Sequence, residues 1–309
     1  MSSQLQSEAL FESSFLGFFY RQWLLHRKPV PAGTDLTSQV AIITGSNSGL
    51  GLESGRQLLQ LGLSHLILAV RSLSKGNRAA DGLRKELPSA TVSVWLLDME
   101  SYDSIIAFVE QCKLLTKVTM VILNAGLRGG QTFTTTKDTS HEYSSQVNYI
   151  STALLAILLL PVLKSKRSAR SKPPVLTIVT SDSAFWTSIE TQGPVLPQLD
   201  KADKLAEEVN ASDVIVNMAN PGLCAGTAFG SEASMSIITR TFISVVMAIL
   251  ARTSTTGAST YVDAVVVKGE ESHGSYVSDW AIRPYRLWEE TMEELNFARA
   301  SDIIQRLKE

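Results

Sequence analysis

The stretch at residues 40–51, VAIITGSNSGLG, constrains the fold of this chain more than any other part of it. Val40, Ala41, Ile42 and Ile43 form a run too short for a helix, and its β-branched content suits a strand buried on both faces. Gly45, Gly49 and Gly51 then mark a backbone that turns tightly and admits a close neighbour. Beyond them Leu52, Gly55 and Leu59 keep the three-to-four spacing of a helix face, and Gly62 stands where a helix stop is expected. A strand, a glycine loop and a helix N-terminus together make an anion site, because unpaired N–H groups and the positive end of the helix dipole converge there. The spacing is GxxxGxG, not GxGxxG, so the glycines alone also allow an ordinary strand-to-helix connection.

The 309 residues, 44% hydrophobic and 19% charged, supply enough apolar material for one large core, read here as a single domain over residues 36–309 behind an extension at 1–35. A net charge of −2 carries no basic footprint, so no nucleic-acid partner is expected. Cys112 and Cys224 form neither a disulfide framework nor a metal spacing, and His26, His65, His141 and His273 are scattered. No metal site is expected, and a reducing, cytoplasmic setting is the default. In the extension, Phe11, Phe15, Leu16, Phe18, Phe19, Tyr20, Trp23, Leu24 and Leu25 crowd into one segment closed by His26, Arg27 and Lys28. Glu8 and Glu12 stand where the basic residues of a secretory leader belong, and Arg21 interrupts an apolar stretch too short to span a bilayer. The segment reads either as an aromatic helix docked on the protein's own core or as one lying on a membrane surface. The apolar run at 153–163 also falls short of a span.

From residue 36 onward strand and helix patterns alternate, which predicts an α/β fold, a Rossmann-type doubly wound parallel sheet. Strands are expected at 40–43, 65–70, 91–97, 118–123, 175–180 and 214–218, with Ser101 capping a helix that runs through Cys112. Such sheets bind ligands at the C-terminal ends of their strands. Those ends carry TGSNSGLG, then Arg71, Asp98, NAG (124–126), IVTS ending at Ser181, and NPG (220–222), with QVNYIST on an intervening helix.

In content and order these blocks resemble the short-chain dehydrogenase/reductase superfamily over roughly residues 36–280. The wording SNSGLGLE, IVTSDSAFW, NPGLC and EESHGSYVSDW is similar to a fungal branch linked to secondary metabolism and, more loosely, to retinol-dehydrogenase-type members. The resemblance implies strand order 3-2-1-4-5-6-7 and an oxidoreductase acting on a small-molecule carbonyl or alcohol. It also implies that Gly45, Asn47, Gly49, Leu50 and Gly51 line the pyrophosphate and ribose of a nicotinamide cofactor, and that Asn124, Ala125 and Gly126 support that loop and the inner ribose. Pro221, Gly222 and Thr227 fall beside the nicotinamide, although Gly226 occupies the usual hydroxyl position and Thr227 lies one place beyond it.

Ser181 matches the serine that hydrogen-bonds the substrate carbonyl, and Asn148 the asparagine that anchors a water in the proton relay; a turn serine and a polar residue near a helix start are the plain alternatives. Arg71 stands where an acidic residue would accept the ribose hydroxyls of NAD. One unit pair at ~4 Å and an effective dielectric of ~20 is worth ~4 kcal/mol before desolvation, so a 2′-phosphate is attracted and NADP is favoured. Ser72 and Lys75 either join that pocket or face solvent, and Asp98 either accepts from the adenine amino group or caps the next helix. Family members commonly dimerise through the two helices flanking strand five, but one of them is largely absent here, so the oligomeric state stays open between a monomer and a homodimer.

One departure is large. The family's acid/base is a tyrosine with a lysine four residues on, and no such pair occurs here: the residues four beyond Tyr20, Tyr102, Tyr143, Tyr149, Tyr261, Tyr276 and Tyr285 are Leu24, Ile106, Val147, Ala153, Val265, Trp280 and Glu289. Between strands five and six only residues 199–211 have helical character, about one short crossover where the family has a substrate loop and a long helix. Lys201 and Lys204 read as solvated charges on that remnant, and Tyr143 or Tyr149 would have to approach from a neighbouring helix. Three readings follow: a reductase with another proton donor such as water, a nucleotide-binding pseudoenzyme or interaction protein, and a sequence that has lost a segment. A methyltransferase is disfavoured by Arg71.

Overall fold

A computed structural model describes residues 15–127, 134–137, 139–167, 172–181, 209–225 and 250–283. The first strand, β1 (Val40–Thr44), sits in the middle of the sheet and alternates its side chains between two cores, as the two-residue period of a strand requires. Ile42 joins the core that also holds Phe108, Leu155 and Leu159, while Ala41 and Ile43 face the one that holds Leu58, Leu83 and Tyr261. Both faces of the sheet are therefore covered by helices. An apolar run rather than an in-out alternation is what such a strand needs.

The elements follow in chain order: α1 (Phe15–Trp23), β1, α2 (Gly49–Gln60), β2 (His65–Val70), α3 (Leu73–Glu86), β3 (Thr91–Leu96), α4 (Tyr102–Lys113) and β4 (Met120–Leu123). After β4, a short turn of helix at Tyr143–Ser145 and a π-helical turn at Gln146–Ile150 lead into α5 (Ser151–Lys166). Then come β5 (Val175–Val179), β6 (Ile215–Asn220), α6 (Ser254–Val262), β7 (Tyr276–Ser278) and β8 (Ala281–Arg283). The strands are ordered β3-β2-β1-β4-β5-β6-β7-β8. All neighbours are parallel except β7 and β8. The expected order is thus present and is extended by one antiparallel strand. Asp279 and Trp280 turn that hairpin with φ of 54° and 58°, the left-handed pair that a tight two-residue turn demands. Neither is glycine; burial of Trp280 at 1% exposure and its Nε1–H donated to Ser259 Oγ at 3.1 Å offset the backbone cost.

Three elements depart from the sequence reading by more than one residue at an end. β4 starts at Met120 because Thr119 turns its hydroxyl back onto β1, accepting from Val40 N at 3.1 Å and donating to Val40 O at 2.9 Å. β6 continues through Ala219 and Asn220, small and polar residues that read as a loop but pair with Val277 and Ser278 of β7. The helical stretch from Tyr143 to Lys166 spans 24 residues, long and apolar enough to cross a membrane, which corrects the expectation built on the shorter run at 153–163. Leu155, Ala156, Leu159 and Leu163 of α5 are buried against the sheet and α4, the place of a core helix.

Candidate active site

The glycine loop closes over β4. Asn124, just beyond β4, donates from Nδ2 to Thr44 O at 2.9 Å and to Gly45 O at 3.4 Å, and Ala125 N donates to Thr44 Oγ1 at 2.8 Å. Gly45 has φ +64°, and a Cβ there would lie 2.8 Å from the Cα of Ala125; a Cβ on Gly51 would meet Asn124 Nδ2 at 2.6 Å. Two of the three glycines are therefore required by close packing of loop on loop, and Gly49 by its own φ of +59°. Ser46, fully buried, ties the loop back through its hydroxyl to Ile43 O at 2.7 Å.

What the loop presents is the N-terminus of α2. Ser48 occupies the cap position with extended backbone, its side chain makes no capping hydrogen bond, and the first turn carries no acidic residue. Neither a capping hydrogen bond from Ser48 nor an acidic side chain of the first turn is set against the amides around Gly49, Leu50 and Gly51 and the positive end of the dipole, which suits a diphosphate. Asn47 is half-buried beside them. Behind the turn, a Cβ on Gly257 of α6 would meet Cys224 Sγ, Leu50 Cδ2 and Pro221 Cβ, so this one glycine lets α6 bring the loop and the segment after β6 together.

Arg71 directly follows β2, mostly exposed, and is ion-paired to Glu100. Tyr143 completes the cluster, its hydroxyl accepting from Arg71 Nη1 and donating to Glu100 Oε1, each at 2.8 Å. That hydrogen bond is the main reason the Arg71 guanidinium is held above its ordinary pKa, and burial raises the Tyr143 phenol, with Glu100 adding to it. Tyr143 therefore works at the ends of β2 and β3, not beside β5. Asp98 accepts from Glu100 N at 3.0 Å in a local turn, and Ser101 is the cap of α4, accepting from Ser104 N at 3.3 Å. Ser72 caps α3 by accepting from Lys75 N, and the Lys75 side chain is exposed.

Asn148 lies in the π-helical turn, where its Oδ1 accepts from Leu127 N at 2.8 Å and its Nδ2 donates to Leu127 O at 2.7 Å. The side chain thereby holds the chain that follows Gly126, and it is a positioning residue. Ser181 is exposed two residues past β5. After β6, Gly222 takes φ +71° and Gly222 N donates to Asn220 Oδ1 at 3.1 Å. Thr227 and Gly226, with Lys201, Lys204 and most of the 199–211 stretch, lie outside the described residues.

Sequence reasoning missed Glu100, Arg252 and Asp279, and weighed Tyr143 only as a proton donor, not as a partner of Arg71. Glu100 stands two places past Asp98, a signal that was available; Arg252 and Asp279 are far apart in sequence and meet only in the fold. The buried Arg252–Asp279 pair, at 2.5 Å, sits beneath Gly222 with Arg21 Nε 3.6 Å from the same carboxylate, and the Arg252 guanidinium lies 5.3 Å over the Trp280 ring.

A doubly wound parallel sheet with a glycine loop and an uncapped helix N-terminus at its central strand defines a Rossmann-type nucleotide-binding protein. The family profile described as short chain dehydrogenase matches residues 39–180. The chain is 49% identical to the short chain dehydrogenase virL of Hypocrea virens, with 100% of this chain and 99% of that one covered. It is 42% identical to the short chain dehydrogenase opdN of Penicillium oxalicum, covering 92% of this chain and 100% of that one. This protein belongs to the short-chain dehydrogenase family. Among solved structures its fold is similar to L-sorbose reductase from Gluconobacter frateurii, at 19% identity and TM-score 0.61, covering 79% of this chain and 96% of that one. Levodione reductase gives 17% identity and TM-score 0.62 with the same coverage.

Proposed function

We propose that this chain is an NADP-dependent oxidoreductase that interconverts a small-molecule carbonyl and alcohol, in fungal secondary metabolism. The open N-terminus of α2, framed by glycines and by Asn124, carries the reading, because it offers a diphosphate several backbone donors that no side chain of the first turn covers. Gly45, Asn47, Gly49, Leu50 and Gly51 would hold that diphosphate and its ribose. Arg71 would pair with the 2′-phosphate, Lys75 lies one helical turn on, and Asp98 would reach the adenine. The nicotinamide, when bound beside Pro221 and Gly222, supplies the hydride chemistry. Ser181 would donate to the substrate oxygen, and with no tyrosine–lysine pair in the chain the proton would come from water. The two cysteines are unbridged and buried, in keeping with the cytoplasm.

The Arg71–Glu100 pair makes the cofactor assignment testable. Arg71→Asp should reverse the preference for NADP over NAD in a calorimetric titration, by about tenfold once the pair energy is discounted for the exposure of Arg71. An unchanged preference removes Arg71 from the pocket. Purified protein should consume NADPH with at least one ketone or aldehyde from a broad panel, and Ser181→Ala should lower that rate.

A second reading, a cofactor-binding protein without turnover, draws on the missing tyrosine–lysine pair. The alignment with the Hypocrea virens relative supports a lost segment: it runs over 345 positions against the 309 residues of this chain, so that relative has residues without a counterpart here. Tight NADPH binding with no substrate consumed would select the second reading. Recovery of a tyrosine-bearing segment from the transcript across residues 185–212 would explain it.

A further inference from the structure

α1 is inside out. A short amphipathic helix at the edge of a domain ordinarily buries its apolar stripe and exposes its charges, yet here Arg21 and Gln22 are buried, at 7% and 9% exposure, beside Gly17 and the half-buried Phe18 and Phe19. Gln22 donates from Nε2 to Leu223 O and Leu250 O, each at 3.0 Å, while Arg21 faces Asp279 and its carbonyl accepts from Arg252 at 2.5 Å. The helix is therefore fixed to the segments after β6 and β7 by its polar side. Its opposite side carries Leu16 at 74% exposure, Tyr20 at 45%, Trp23 at 52% and, just past the last turn, Leu24 at 63%. Positions 16, 20, 23 and 24 fall on one helical stripe. The exposed residues His26, Arg27 and Lys28 follow at once.

We propose that this stripe docks the folded protein onto an anionic lipid bilayer. Leucines beside a tryptophan and a tyrosine are the side chains that settle at the level of lipid headgroups, the rings having an apolar body and a polar edge. Arg27 and Lys28 supply the charge complement, since cations next to such a stripe gain from the negative surface of the bilayer. The polar clamp under α1 fixes the outward direction of the stripe, so docking needs no refolding. The stripe lies on the far side of α1 from the segments after β6 and β7, which hold Arg21 and Gln22. The docking does not rest on the oxidoreductase reading.

Vesicle flotation of the full-length protein, with no cofactor or substrate present, tests the docking. The protein should float with vesicles containing about 30 mol% phosphatidylserine and much less with neutral phosphatidylcholine, and added salt should weaken binding. Leu16→Glu with Leu24→Glu should lower the partition coefficient at least ~10-fold, and Arg27→Gln with Lys28→Gln by roughly 20-fold on anionic vesicles alone. All four positions are exposed, and thermal unfolding should show both variants folded; should the glutamate pair fail to fold, the Arg27/Lys28 variant decides. Failure of the wild-type protein to float, or equal flotation of wild type and variants, overturns the proposal. A concentration-dependent dimer that the Leu16/Leu24 variant abolishes, without vesicle binding, would assign the stripe to a second copy of the chain instead.

Discussion

The N-termini of α2 and α4 are built from the same material and finished in opposite ways. Each helix follows a parallel strand and each has a serine at the cap position in extended backbone. Ser101 accepts from Ser104 N, and Asp103 in the first turn of α4 answers the helix dipole. Ser48 caps nothing, and the first turn of α2 has no acid. A helix that exists only for packing satisfies its own end, whereas the end of α2 is left uncapped by Ser48 next to close-packed glycines, the feature on which the proposed diphosphate site rests. The unused cap is thus more informative about function than the glycines, which also serve the contact between Gly45 and Ala125.

A buried thiol lies near each helix and allows the two to be compared in solution. Cys112 lies within α4 and burial pushes its thiol up to about 12; Cys224, against Gly257 behind α2, is pushed up to about 11. Relative to the ordinary 9.0, the thiolate population at pH 8 falls by about 100-fold for Cys224 and about 1000-fold for Cys112. Labelling by a thiol reagent should be slow in the folded protein and prompt for both in urea. NADP should slow the labelling of Cys224 further and leave Cys112 unaffected; equal protection of both would break the contrast. Because folding raises these values, their contribution to stability is intact below about pH 9 and is lost as the pH climbs toward 11 and 12.

Gly45→Ala brings a Cβ to 2.8 Å from backbone in a left-handed residue, and should cost about 3 kcal/mol in denaturant unfolding together with most of the nucleotide affinity. A cost within a few tenths would mean that the loop is free to move away from Ala125. The sharpest test is also the smallest: Ser101→Ala should cost about 1 kcal/mol, whereas Ser48→Ala should cost only a few tenths. Ser48→Asp should raise the stability of the ligand-free protein by roughly 0.5 kcal/mol while weakening NADP binding, because the new carboxylate takes the place meant for a phosphate. If Ser48→Ala proves as costly as Ser101→Ala, the end of α2 is not open.

Much of this was legible in the residues. The apolar runs from residue 40 to 220 announced a parallel sheet, since strands buried on both faces must be apolar throughout, and the glycine loop announced its ligand end. The hairpin at Asp279–Trp280 was not legible, because non-glycine residues there accept left-handed backbone only once Arg252 and Ser259 hold their side chains. Arg71 was read as an open cation, and the fold pairs it with Glu100 and Tyr143. The sequence reads the N-terminal segment as an aromatic helix docked on the protein's own core or lying on a membrane surface; α1 does pack on the domain, with Arg21 and Gln22 buried and Phe18 and Phe19 half-buried, a division that the sequence does not show.

The sequence by itself determined the sheet, its central strand, the family and the glycine-lined helix end, all of which follow from local periodicity and from short motifs within one strand–loop–helix unit. Only the tertiary structure decided which polar groups are already satisfied: that Ser48 is idle, that Asn148 is committed to Leu127, and that α1 turns its apolar stripe outward. Hydrogen bonds between residues as far apart as 22 and 250 depend on how the layers pack, and no spacing along the chain encodes that.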